Sequence, residues 1–129
     1  TEILNFVGGD VNNLDAIHVF QAAKTGDKVA MDIVTNAIDY LGMGVACMTN
    51  ILDPEYVVFG GGISLAGDFL LKPLTAAWEK YRMSYSGKNT KLVISEFGSD
   101  TSAIGAAALV FDLLMKKGYK PQKLLHFKK

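Results

Sequence analysis

The sequence predicts an α/β fold, helices packed on a small, mainly parallel sheet. Two observations predict it. Short apolar runs with strand character alternate with stretches of helical period, in the order helix, helix, strand, helix, strand, helix. One of those helices is also apolar on nearly every side over its second half, and such a helix is expected to be covered on both faces. Strands that alternate with helices pair in parallel through right-handed crossovers. Two short strands make a poor parallel sheet on their own, so further strands of the same domain are expected outside this chain.

Residues 1–14 are mixed in character, with a Gly8-Gly9-Asp10 turn signal and the Asn12-Asn13 pair, and read as a connecting segment. A short helix follows over residues 15–24, with Ile17, Phe20, Gln21 and Ala23, ended by Gly26. His18 lies inside it and, with no carboxylate partner assignable, reads as a surface or packing residue. The second helix is the clearest element. Asp27 is a good N-cap, Ala30, Ile33, Val34, Ala37, Ile38, Leu41, Val45, Met48 and Leu52 follow the helical period, and Pro54 requires a stop. Its opposite face is polar at Lys28, Asp32, Thr35, Asn36 and Asp39 but then carries Met43, Ala46, Cys47 and Asn50. Burial of that second half against another copy or a further lobe is therefore expected.

Asp53-Pro54-Glu55 is a turn that introduces Tyr56-Val57-Val58-Phe59, a β-branched and aromatic run that reads as a buried strand. After three glycines a third helix is marked by Leu70, Leu71, Leu74, Ala77, Trp78 and Tyr81 on one stripe. Pro73 requires that this helix begin near it or kink there. Residues 84–91 are polar with a Gly87-Lys88-Asn89 turn, and Leu92-Val93-Ile94-Ser95 reads as the second strand. The last helix starts at Gly98-Ser99-Asp100, shows Ile104, Ala107, Ala108, Phe111 and Met115 on one face, and takes Gly118 as its C-cap.

Composition narrows the function classes. With 129 residues, half of them hydrophobic, the chain can build one globular domain, residues 1–129, and no repeat or linker divides it. Thirteen basic residues balance thirteen acidic ones, so no nucleic-acid partner is expected. The lysines at 116, 117, 120, 123, 128 and 129 against Asp112 alone read as a solvated helix end and tail. Cys47 is the only cysteine, which excludes an internal disulfide, and with only His18 and His126 beside it no metal site is expected. This usage suits a reducing, cytoplasmic setting. No apolar run approaches the ~20 residues of a membrane span and no signal-peptide pattern is present, so no membrane partner is expected. A start at Thr1 rather than methionine suggests a processed or truncated sequence.

One constellation carries chemical content: strand, then Gly60-Gly61-Gly62-Ile63-Ser64, then helix. Glycines after a strand let a ligand approach the backbone, and the open N–H groups of the turn and the following helix favour a polar or anionic group. A triple glycine serves equally as a tight strand-to-helix turn. It is not the G-x-G-x-x-G fingerprint, because Leu65 stands at the third glycine, nor a G-x-x-x-x-G-K-[ST] loop.

The surroundings sharpen the reading. Leu41-Gly42-Met43-Gly44-Val45-Ala46 and the run from Asn50 through Asp53-Pro54-Glu55 to Gly60-Gly61-Gly62-Ile63-Ser64 resemble the C-terminal region of ROK proteins, a family of sugar kinases and sugar-responsive repressors. The stretch from Asp15 to Asp27, Gly67-Asp68-Phe69-Leu70-Leu71-Lys72-Pro73-Leu74, and Ala103-Ile104-Gly105-Ala106-Ala107-Ala108-Leu109 continue the resemblance in the right order. It implies part of an actin-like ATPase (ribonuclease H-like) lobe, on the nucleotide side of a cleft that closes over a sugar and a nucleotide. It further implies a parent ATP-dependent hexose kinase of glucokinase type, using ATP and Mg²⁺ and homo-oligomeric or in contact with a missing N-terminal lobe. The glycine turn would lie beside the adenosine of ATP, with Gly60, Gly61 and Gly62 in that role and the backbone of Ile63 and Ser64 as neighbours. Gly105 and Ala106-Ala107-Ala108 also match, with packing of the last helix on the sheet as their other role.

The catalytic aspartate, phosphate-binding turn, Glu-x-Gly-His segment and cysteine-rich zinc motif of the family precede the matched region, and this sequence has none of them. Asp10, Asp15 and Asp27 lack the surroundings of a catalytic base and read as turn or cap residues. The chain alone is thus expected to be inactive. The rival expectation is the effector domain of a ROK-type repressor, and retention of all three glycines favours the kinase.

Overall fold

The computed structural model describes residues 2–116. Helix α1 (Glu2–Asn5) leads through a 3-10 turn at Val11–Asn13 to α2 (Ala16–Lys24) and the long α3 (Lys28–Leu52). Strand β1 (Tyr56–Phe59), a 3-10 turn at Gly62–Ala66, α4 (Asp68–Tyr81), β2 (Lys91–Ile94) and α5 (Thr101–Lys116) complete the order. The strands are parallel, with Tyr56 opposite Lys91 and Phe59 opposite Ile94. The expected α/β alternation and parallel pairing are therefore present. The Gly118 cap and the lysines beyond Lys116 lie outside the described residues.

Local chemistry explains the helix limits. The Asp27 carboxylate accepts from Ala30 N at 2.9 Å, capping α3. At the other end Asp53 takes a left-handed conformation (φ 44°), its N–H donates to Thr49 O, and its side chain accepts from Gly87 N at 2.8 Å. Aspartate tolerates that conformation better than most residues, and it reverses the chain into Pro54 and β1. His18 is explained too: its Nδ1 accepts from Asp15 N at 3.1 Å, as half of a capping box.

Two cores meet under the sheet. Ala22, Ala23, Ala30, Val34, Ile38, Leu70 and Leu74 form one, and Val45, Ala46 and Trp78 the other. Val57, Phe59, Leu92 and Ile94 supply the inner face of the sheet to them. The helices come very close where α3 crosses α4, since a Cβ on Gly42 would stand 2.5 Å from Ala77 Cβ.

Three expectations are corrected and one is narrowed. Residues 1–14 are not merely connecting: Ile3 is buried in the first core, and Glu2 N donates to Asp27 Oδ2 at 2.7 Å, which ties α1 to the start of α3. Of the two possibilities for the third helix, a start near Pro73 is excluded, because α4 begins at Asp68, five residues ahead of it. Gly67, at φ 58°, receives the N–H groups of Leu70 and Leu71 on its carbonyl and so starts the helix early. Strand β1 is only half-buried, and on one face, at Val57 and Phe59; Tyr56 and Val58 point away from the helices and stay exposed. Finally, α5 has no buried residue and does not pack on the sheet; Ile104, Leu109, Val110, Phe111, Leu113 and Met115 are all exposed. By length and composition alone, Gly98–Lys116, with a mean hydropathy of 1.2, is long and apolar enough to cross a membrane. A core helix passes the same test.

On the second half of α3, Met43 and Cys47 of the opposite face are exposed, and so are Met48 and Leu52, which the helical period had placed on the core stripe. Ala46 and Asn50 are the exceptions: Ala46 is buried in the second core, and Asn50 Oδ1 accepts from Met83 N at 2.9 Å.

Candidate functional site at the glycine turn

The turn sits at the carboxyl ends of both strands, where open α/β sheets bind ligands. Two loops are laced together there. Ser95 N donates to Phe59 O at 2.8 Å and Gly61 N to Gly98 O at 3.0 Å. Thr101 Oγ1 donates to Gly98 O at 2.7 Å and lies 2.8 Å from Ser95 Oγ.

The five predicted residues divide into two groups. Gly60, Gly61 and Ser64 build the turn. A Cβ on Gly60 would lie 2.7 Å from Thr101 Cγ2, so the glycine is required by the approach of α5's first residue. Gly61 has φ 77° and ψ −164°, a region open essentially to glycine alone. Ser64 is buried, and its hydroxyl donates back to Gly61 O at 2.6 Å.

Gly62 and Ile63 face outward. Among the described residues their N–H groups have no acceptor, and a Cβ on Gly62 would meet nothing within 4 Å. Both line a groove of about 460 Å³ whose opposite wall is α2. That wall consists of Ile17, Phe20, Gln21 and Lys24, with Asp15 and Ala16 at its N-terminal end and Leu65 and Ala66 completing the turn side. Phe20 is braced edge-on against Phe69 at 6.3 Å, and Lys24 Nζ stands 5.7 Å from the centre of the same ring. No local signal joins α2 to the turn, because the two lie some forty residues apart and neither segment's pattern depends on the other.

The acidic residues behave as structural groups. Asp10 caps the first 3-10 turn through Asn12 N, Asp15 caps α2, and Asp27 caps α3. The hydrogen bond from Ala30 N, followed by that from Glu2 N, holds the Asp27 carboxyl below the ordinary carboxylate value. Among the described residues no group of three or more His, Cys, Asp or Glu side chains could hold a metal ion.

A second groove, about 530 Å³, lies between α3 and α4 and is floored by Val34, Ile38, Phe69 and Ala77. Asp39 and Lys80 pair at its rim at 3.2 Å, and Tyr81 Oη donates to Asp39 at 2.7 Å, which pulls the Asp39 carboxyl down.

Comparison with known proteins gives a consistent answer. The chain matches the ROK family over residues 2–112. It is 39% identical over 97 residues to a glucokinase of Halalkalibacterium halodurans, covering 75% of this chain and 29% of that protein. It is 36% identical over 104 residues to a glucokinase of Thermotoga maritima, covering 81% and 33%. A xylose repressor of Caldicellulosiruptor bescii is 27% identical over 101 residues, covering 78% and 25%. Among solved structures, a ROK family glucokinase from Streptomyces griseus in complex with glucose and AMPPNP matches with a TM-score of 0.71 at 27% identity, over 83% of this chain and 35% of that one. The chain thus spans about a third of the length of these relatives or less. The fold is the expected one, part of an actin-like ATPase lobe with helices on a small parallel sheet.

Proposed function

The chain belongs to the ROK family, and from that premise we propose that it is the C-terminal part of an ATP-dependent hexose kinase of glucokinase type. It contributes the adenosine side of the ATP cleft, works in the cytoplasm, and meets its hexose, Mg²⁺ and the terminal phosphates only in the complete enzyme. The observation that carries this reading is the turn itself: among the described residues the N–H groups of Gly62 and Ile63 have no partner, and the backbone at Gly62 is unobstructed at the mouth of a groove. The glucokinases among the relatives, and the AMPPNP held by the related structure, support the same reading.

In such a kinase a carboxylate takes the sugar hydroxyl's proton while Mg²⁺ and backbone donors stabilise the transferring phosphoryl group. Asp10, Asp15 and Asp27 are engaged as caps, so this chain supplies positioning of the nucleotide and no base. The exposed face of α3 at Met43, Cys47 and Ile51 and the uncovered α5 are then surfaces for the remaining lobe or for a second copy.

The xylose repressor relative favours one alternative, the effector domain of a sugar-responsive repressor. Titration with ribose-labelled fluorescent ADP separates the two, together with a coupled ATP, Mg²⁺ and hexose assay on the chain alone. Binding without turnover is the outcome expected here. Absence of any nucleotide binding sinks the adenosine role, and turnover that co-purifies with the chain sinks its assignment as a base-free part.

A further inference from the structure

We propose that α2 is the base-reading wall of this site and that Gln21 sets the preference for adenine. The inference rests on the adenosine reading above and adds the residues that would choose the base.

Ile17, Phe20, Gln21 and Lys24 all line the groove and fall at i, i+3, i+4 and i+7, so they form one stripe of α2. Phe20 is half-buried against the first core, while the other three residues of the stripe stand outside it. The buried residues of α2 are Ala22 and Ala23, whereas Ile17 is 51% exposed and Gln21 and Lys24 are also exposed. Across the groove Ile63 and Leu65 are apolar and exposed, at 41% and 65%. Two facing apolar walls that solvent reaches, one braced by an edge-on Phe20–Phe69 pair, make a slot suited to a flat heteroaromatic ring.

Within that slot Gln21 is the neutral side chain with both a donor and an acceptor. An amide of this kind pairs with adenine by accepting from the exocyclic amine and donating to a ring nitrogen. Asp15 and Lys24 stand toward the two ends of the stripe, leaving Gln21 beside the apolar pair in its middle. Base recognition would thus come from α2, while the turn supplies backbone approach through Gly62 and Ile63.

The test uses the chain with ribose-labelled fluorescent ADP and GDP, which leave both bases free. Gln21→Glu keeps the acceptor but loses the donor, which suits guanine's two adjacent donors better than adenine. The ratio of ADP to GDP affinity is expected to fall by roughly five- to hundredfold, the usual range for a bidentate base contact. Gln21→Met is expected to weaken ADP without strengthening GDP. Since Gln21 is exposed, both variants should keep the wild-type circular dichroism and Tm. Wild-type binding with an unchanged ratio in both variants overturns the role of Gln21 and leaves the glycine-turn reading standing. Failure of the wild type to bind either nucleotide overturns both.

Discussion

Trp78 Nε1 donates to Thr49 Oγ1 at 2.9 Å, and both side chains are buried where α4 crosses α3. Thr49 is the centre of a small network, because its hydroxyl donates to Ala46 O and its carbonyl accepts from Ser86 Oγ at 2.9 Å. The bond therefore joins two helices and the segment leading into β2. Trp78→Phe is expected to cost about 2 kcal/mol, part from the lost bond and part from the smaller ring. Trp78 is the chain's single tryptophan, so urea unfolding followed by circular dichroism is the measurement. A cost below about 0.5 kcal/mol would show that Thr49 finds another partner.

Gly42 and Gly44 make an internally controlled pair on α3. At Gly42 a new Cβ would stand 2.5 Å from Ala77 Cβ and 2.9 Å from Ala77's carbonyl carbon, whereas at Gly44 it would meet nothing within 4 Å. Gly→Ala in a helix gains up to about 1 kcal/mol by propensity alone. Gly44→Ala should therefore stabilise by that order. Gly42→Ala should destabilise by about 1–2 kcal/mol, since the overlap involves backbone and outweighs propensity. Adding Ala77→Gly should rescue it only in part, because the backbone clash remains.

The carboxylate of Asp27 predicts a pH dependence. Its folded pKa is depressed by the hydrogen bonds from Ala30 N and Glu2 N, so its stabilisation is present above the unfolded carboxylate pKa and is lost as pH falls through the lower folded value. Asp27→Ala should lower Tm by a few degrees near neutral pH, and the gap should narrow at about pH 3. A gap of constant size would mean that the carboxylate's charge contributes nothing to the cap.

How much of this was legible in the sequence depends on the range of the interaction. The Asp27 cap, the stop before Pro54, β1 and the glycine turn are local signals, and each stands where the sequence put it, with β2 displaced by one residue. The start of α4 was obscured because Pro73 is a strong local signal, while the helix is initiated by the backbone of Gly67. Apolar composition alone suggested buried faces for β1 and α5, but burial needs a partner, and none of the described elements covers Tyr56, Val58 or Phe111. At the site, periodicity could place Ile17, Phe20, Gln21 and Lys24 on one stripe of α2 but could not say that Gly62 and Ile63 lie opposite.

The three glycines of the turn should respond differently to substitution, and the difference separates a ligand site from a structural corner. Gly60→Ala places a methyl 2.7–2.9 Å from three atoms of Thr101 and should loosen the start of α5. Gly61→Val forces a side chain onto φ 77° and ψ −164°, a strain of about 1–3 kcal/mol, so any loss of nucleotide binding there would be ambiguous. Gly62 is the clean probe. It has no positive φ and no neighbour within 4 Å of a built Cβ, so Gly62→Ala and Gly62→Val should leave urea stability within about 0.5 kcal/mol of wild type. Both add bulk to the groove mouth beside the open N–H groups, so affinity for ribose-labelled ADP should fall, and further for valine than for alanine. Two folded Gly62 variants that bind as well as wild type would establish that Gly60, Gly61 and Gly62 serve only to turn the chain from β1 into α4, and that the nucleotide lies elsewhere.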